Sequence, residues 1–450
     1  MRHNRESGNN RTTREFLIAR SGTGNRDAGQ TKRSAVGLEE LSRRFPGLST
    51  GKAFVEAAMN RLETAIQFGV LLIRIDRFNE EEDELGPEGA IRLLLDTARA
   101  VDRICEPKGA EWGLIERDLF GCFLPEMPDS LCLKAADEIR AESTHQRENT
   151  LTIGITEYPL FQFTRIQTLK NARKALNHAA FSGPGGTAVF GPDSLSINAD
   201  RLYQQGNVEG AISEYKTALL LSPSNPNLHN SLGVCFAALG GLQSALEEFR
   251  TASRIDPTEV MPVYNTGLVF RMMGRKETAL SRFLEAERLG GNRFEVSFQI
   301  ARTCQELNRL TQAAAHFDQA VRLKPTSSIA HRLLGECRAA LGRTEEAVAA
   351  YKKAVKLNPG DAEAVSMLGV LFDKLGENPE IAVLFCRHSV EIAPKNGLYR
   401  QRLAKLYLKH TRPDEAMAEF EVAARLGCHS EEESEEEIGP LYPRQTHRAS

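Results

Sequence analysis

The chain has 450 residues, of which 41% are hydrophobic and 26% charged, with a formal net charge of −3. That length allows two or three domains, and that apolar content can supply their cores. The near-balanced charge argues against a protein built chiefly to bind nucleic acid or acidic lipid. No apolar run approaches the roughly 18–20 residues of a membrane span. The opening "MRHNRESGNNRTTREF" has no apolar stretch of the secretory kind. The eight cysteines include no CxxC pair, so nothing requires disulfides or a zinc ribbon. These features predict a cytoplasmic protein without a metal or other cofactor.

Residues 1–36 are polar, with a net charge of +5 over 1–35 from eight basic and three acidic residues. They read as a disordered basic arm. From about 38 to 190, strand-like runs ("GVLLIRI", "LTIGIT", "TAVF") alternate with helical stretches ("AIRLLLDTARAVDRI", "LKAADEIRAE", "TLKNARKALNHAA"). That order predicts an α+β, ferredoxin-like domain with paired strands and helices on a face. Within it, "GLIERDLFGCFLPEM" (113–127) reads as a hairpin whose charged tip holds Asp118.

After Gly191 the strand signals stop, and 192–429 reads as helices with an internal period. Alanines at 211, 245, 279, 313, 347, 382 and 416 are spaced 34 residues apart, with one interval of 35. A second series of small residues follows seven positions later, from Ala218 to Ala423, interrupted only by Ser389. A third precedes the first by twelve, including Gly233, Gly267 and Gly335, and by thirteen at Gly369. Small residues let two antiparallel helices approach, while Phe249, Phe283, Phe317 and Tyr351 fill the space between units. Glycines at 206, 240, 274, 342 and 376 end the first helix of a unit, and prolines stop the second. Seven units start near 192, 226, 260, 294, 328, 362 and 397. Cys235, Cys304 and Cys337 fall inside the helical pattern and read as small buried side chains. Residues 430–450 open with "SEEESEEE", an acidic run that repels itself and reads as a disordered tail.

The period resembles the tetratricopeptide repeat, a helix–turn–helix unit of 34 residues, and "SLGVCFAALGGLQSALEEFRTASRIDP" (231–257) follows its consensus closely. The resemblance implies an all-α superhelical solenoid whose groove is lined by the first helix of each unit. On this chain the groove positions fall on Asn230, Val234, Tyr264, Leu268, Arg271, Phe298, Arg302, Arg332 and Lys405, with Asn265 beside them. The carboxylate clamp found in some members is not matched. Only Asn265 falls on one of its positions, while Glu295 and Gln299 stand where it needs cations. A mixed apolar and cationic groove, with Arg271, Arg302 and Arg332 exposed along one wall, implies a protein or peptide partner that is acidic with interspersed apolar residues.

Residues 38–190 resemble the GGDEF domain of bacterial diguanylate cyclases. "PGLSTGKAF" (46–54), "LLIRIDRFNEEEDELG" (71–86), "LTIGITEYP" (151–159) and "NARKALNHAAFSGPGG" (171–186) follow its ordered segments. The chemistry that family performs needs metal-holding carboxylates, and glycines that let backbone approach phosphates. Here "ERDLF" (116–120) stands at the signature. Glu116 and Arg117 replace the glycines, Leu119 replaces a metal-binding acid, and Arg74 replaces the other metal-holding aspartate. Glu82 and Ile91 stand at the guanine-contacting positions, and "PKGA" (107–110) stands where the inhibitory product site would lie. Asp76, Phe78, Gly86, Phe120, Leu124, Pro125 and Gly154 retain scaffold roles. The domain therefore reads as degenerate, with no catalytic residues.

Two functions follow from these resemblances. One is a non-catalytic bacterial adaptor that binds a protein in the repeat groove, with the degenerate domain as a docking, dimerisation or regulatory module. The other is a sensor whose degenerate domain binds GTP or cyclic di-GMP without turnover. A homodimer is compatible with either, and no nucleic acid or membrane partner is expected.

Overall fold

The computed structural model describes residues 35–144, 150–290 and 293–428. The basic arm up to residue 34 and the acidic run at 430–437 lie outside the described residues. The chain divides into two compact units, between Ile255 and Asp256.

The first unit opens with α1 (Ala35–Arg44) and α2 (Gly51–Arg61), then β1 (Phe68–Ile75) and α3 (Phe78–Cys105). The hairpin follows as β2 (Glu111–Glu116) and β3 (Leu119–Pro125), then α4 (Asp129–Thr144), β4 (Leu151–Tyr158), α5 (Arg165–Phe181) and the short β5 (Thr187–Val189). The strands lie in the order β2-β3-β1-β4-β5. The pairs among the first four are antiparallel, and β5 runs parallel to β4. The β–α–β–β–α–β connection is the split arrangement expected from the sequence.

The helices differ from expectation in covering both faces of the sheet. Leu71, Ile73, Phe120, Cys122, Ile153 and Ile155 pack with α3 and α4. Val70, Leu72, Leu119 and Phe123 pack with α2 and α5. The reason lies in β1, whose run "FGVLLIRI" is apolar on both sides of the pleat and would expose half its side chains in a two-layer fold.

Beyond β5 come α6 (Pro192–Gln204), α7 (Val208–Leu221), α8 (Pro226–Ala238) and α9 (Leu242–Ile255). The junction at Gly191 is packed. Ala175 of α5 shares a core with Phe190, Leu195, Ala199, Ala211 and Tyr215. Lys174 reaches Glu214 at 2.8 Å, and the Phe163 and Phe190 rings meet edge to face at 5.4 Å.

The second unit contains α10 (Val260–Met272), α11 (Lys276–Gly290), α12 (Phe294–Glu306), α13 (Leu310–Leu323) and α14 (Ser328–Ala340). It continues with α15 (Thr344–Leu357), α16 (Ala362–Lys374), α17 (Pro379–Ile392), α18 (Gly397–Lys409) and α19 (Pro413–Arg425). Helices pair within each repeat because a small residue, glycine or alanine, on the first lets the second approach closely. A Cβ added at Gly267 would stand 2.6 Å from the Phe283 ring, and one at Gly335 would stand 2.9 Å from Tyr351. Five turn glycines, from Gly206 to Gly376, hold positive φ. Asn308 and Thr411 adopt φ 57° at the equivalent places, so the turn geometry persists where glycine does not. Cys235, Cys304 and Cys337 are free and buried, as the pattern implied.

Candidate functional site

Two places invite chemistry, the hairpin tip and the wall formed by the first helices of the repeats. At the tip every charged side chain has a partner. Arg74 of β1 lies 3.6 Å from Asp118. Arg117 pairs with Glu82 of α3 and also lies over the Phe78 ring. Glu116 pairs with Arg173 of α5 at 2.6 Å. Burial raises the Asp118 carboxyl above its ordinary value, and Arg74 opposes that shift. Asp76 is fully engaged inside the fold: Thr150 and Thr152 hydroxyls donate to it at 2.7 and 2.6 Å, and the Gly185 amide donates at 2.7 Å. A carboxylate held by three internal donors serves the scaffold. Among the described residues no cluster of His, Cys, Asp and Glu could hold a metal ion.

The second place lies wholly in the second unit. Its first helices are α10, α12, α14, α16 and α18, and their side chains reach from one to the next. Arg271 on α10 pairs with Glu306 on α12 at 3.2 Å. Gln305 donates to Glu336 on α14 at 3.3 Å. Arg332 pairs with Glu336 and, at 3.2 Å, with Asp361 at the start of α16. Arg402 on α18 grips Glu363 at 3.1 Å and also reaches Ser366. Lys409 reaches Asp373 at 2.9 Å. Successive first helices thus share one wall, tied across its width by charge.

This network corrects the expectation that Arg271, Arg302 and Arg332 stand exposed and equivalent. Arg271 and Arg332 are each only 22% exposed, and internal carboxylates hold them. Arg302 is half-buried, with no ion pair or hydrogen bond among the described residues, and the same holds for the exposed Lys405. Asn230, Tyr264 and Asn265 are buried, with their side chains inside the packing. Leu268 and Phe298 are half-buried against the core, and Phe298 meets Phe317 edge to face at 5.8 Å. Val234 is half-buried on α8 of the first unit.

The residues that sequence reasoning missed are the carboxylates. Glu306 and Glu336 occupy groove positions of their own helices, so the same spacing that found the arginines could have found their partners. Burial raises the Glu336 carboxyl, and Arg332 acts against that rise. Near Tyr264, whose hydroxyl burial pushes up to about 12, two buried polar atoms have no hydrogen bond among the described residues. They are the Arg271 Nε donor and the Gln299 Oε1 acceptor. The Gln299 side chain and the Arg271 charge both act on the Tyr264 hydroxyl against that rise.

Residues 298–362 and 340–397 match a tetratricopeptide repeat family, and residues 199–240 match a TPR repeat family. The register read from the sequence is therefore that of tetratricopeptide repeats, and the matched ranges lie outside the sheet domain. Among solved structures the chain is similar to MamA at 23% identity, covering 36% of this chain and 94% of that one, with a TM-score of 0.34. It is similar to YrrB, described as a TPR protein with an unusual peptide-binding site, at 20% identity, 41% and 95% coverage and a TM-score of 0.38. It is also similar to Pseudomonas aeruginosa pilF at 21% identity, 48% and 97% coverage and a TM-score of 0.43. No curated protein matches the chain. Among the described residues no helix is long and apolar enough to cross a membrane.

Proposed function

We propose that this chain, which carries tetratricopeptide repeats, is a non-catalytic scaffold that holds a protein or peptide segment on the first-helix wall of its second unit. The observation that carries this reading is the polar set around Tyr264. Arg271 Nε and Gln299 Oε1 are a buried donor and a buried acceptor left unsatisfied, and such atoms are costly unless a ligand completes them. A peptide amide offers one acceptor and one donor, which suits that pair. Arg302, an unpaired cation on the neighbouring turn of α12, supplies a place for a carboxylate. Leu268 and Phe298 offer half-buried apolar surface to a neighbouring side chain. The partner segment on this reading carries one or two acidic groups beside apolar residues. A long acidic run is disfavoured, because internal carboxylates already neutralise Arg271 and Arg332.

The sheet domain, in this proposal, is a degenerate relative of the GGDEF fold that serves docking or regulation. The pairs Arg74–Asp118, Arg117–Glu82 and Glu116–Arg173 support that assignment, since they occupy the hairpin tip that nucleotide and metal would need. The test is to pan a random peptide-display library on the full chain and count enrichment against Arg302→Glu. Enrichment of peptides with a carboxylate next to apolar residues, lost on the variant, supports the scaffold reading. Equal capture by both forms places the binding site elsewhere.

A further inference from the structure

The last repeat leaves bare a face that the earlier repeats bury. In the second helices of the second to sixth repeats, the position after the periodic alanine holds Leu246, Leu280, Ala314, Val348 and Val383, all buried, and in the first repeat it holds Ile212, which is half-buried. Within the second unit the following first helix packs against that position, as α18 packs on α17 over Val383, which is 2% exposed. On α19 the same position holds Met417, which is 61% exposed. Three residues on, the series Phe249, Phe283, Phe317, Tyr351 and Cys386 is fully buried, whereas Phe420 is only half-buried. Leu408 on α18 and Leu426 just after α19 are exposed as well, at 58% and 41%. Among the described residues nothing covers Met417.

We propose that this end face is a self-association surface on which a second copy of the chain packs tail to tail about a two-fold axis. The face carries the chemistry of the repeat-to-repeat interface, so its natural cover is another face of that kind. Residues 429–437, which follow directly, contain no apolar side chain, and Gly439, Pro440 and Pro443 interrupt Ile438, Leu441 and Tyr442 beyond them. Head-to-tail stacking is blocked as well, because the first repeat's outward helix α6 is already packed against α5. A chain with one free end of this type can cover it with itself only isologously, and such a contact closes at two copies. Arg412 is paired with Glu415, and Arg400 reaches Glu419 at 2.7 Å, so two of the four acids of α19 are neutralised within each copy, while Asp414 and Glu421 are exposed and have no ion pair among the described residues. Methionine suits a self-complementary contact because its unbranched side chain adapts to its own image.

The experiment is sedimentation equilibrium of the full chain over a concentration series, with methionine-oxidation footprinting at the same concentrations. The wild type should reach dimer and stop there, and Met417 should become protected as concentration rises. Met417→Glu should weaken the dimer by about tenfold or more, since it sets two carboxylates against each other in an apolar contact. Its far-UV circular dichroism should be unchanged, and Arg302→Glu should leave the association intact. A wild type that stays monomeric, open-ended oligomers, or a dimer undiminished by Met417→Glu overturns the proposal. If Met417→Glu does not fold, the wild-type footprint decides, and concentration-independent reactivity at Met417 counts against it. Protection already present in the monomer and abolished by deleting 429–450 overturns it too, because the chain's own tail would then be the cover.

Discussion

Arg74 Nε lies 3.6 Å from a carboxyl oxygen of Asp118, across the start of the hairpin. On the proposed relationship to the GGDEF fold, a cation at that place repels a metal ion, and it also occupies the one acid that the signature would retain. We therefore expect no cyclic di-GMP from GTP with Mg²⁺ or Mn²⁺, and no binding heat for either nucleotide in calorimetry. Product above a heat-killed control contradicts this. The double variant Arg74→Asp, Leu119→Glu should remain inactive, because on that reading Glu116 and Arg117 would still crowd the phosphates. It should also be less stable, since Asp118 loses its partner while remaining mostly buried.

Asp200 sets a pH dependence in the first unit. Burial lifts its carboxyl from 3.8 to about 6, with the Tyr215 hydroxyl bond only partly opposing the shift. A raised acid binds its proton more tightly in the folded state than in the unfolded one. Its contribution is therefore fully favourable below the unfolded value and is lost as pH rises through about 6. The first unit should lose about 2–3 kcal/mol from this group between about pH 4 and pH 7. Asp129, also raised to about 6 by burial, adds a change of the same sign. Urea melts followed through Trp112, the single tryptophan, should show the loss, and Asp200→Asn should shrink it. A slope unchanged by that substitution contradicts the assignment.

Arg332 and Arg302 should respond differently to truncation, although they occupy groove positions on adjacent first helices. Arg332→Ala strands Glu336 and Asp361 on a half-buried wall, and the expected cost is about 2–3 kcal/mol. Arg302→Ala removes a cation with no ion pair or hydrogen bond among the described residues and should change stability by less than about 0.5 kcal/mol. Thermal melts of the two variants separate the roles. Equal losses would mean that Arg302 too is structural.

The repeat was legible because it rests on sterics that recur at one period. Gly267 and Gly335 mark where Phe283 and Tyr351 enter, and the alanine at each helix crossing is fixed by close approach. That the strands pair into a sheet with helices on it was legible from their alternation, and the second helical layer was legible too, in a run such as "GVLLIRI" that is apolar on both sides of the pleat, but it was overlooked. The wall was only half legible. Spacing placed Arg271 and Arg332 on it, yet their neutralisation by Glu306, Glu336 and Asp361 depends on how successive helices meet, and one helix's pattern does not carry that. The end face needed the structure as well, because Met417 looks like any core residue until no described residue is found above it.

The most direct measurement of the central claim is the affinity of one panned peptide for the full chain and for the Arg302→Glu variant, taken by isothermal titration. The account predicts one-to-one binding to the wild type. It also predicts a loss of about tenfold or more on charge reversal, about 1.4 kcal/mol, with the fold unchanged. Equal affinity for the two proteins would contradict it, and would move the partner off the first-helix wall.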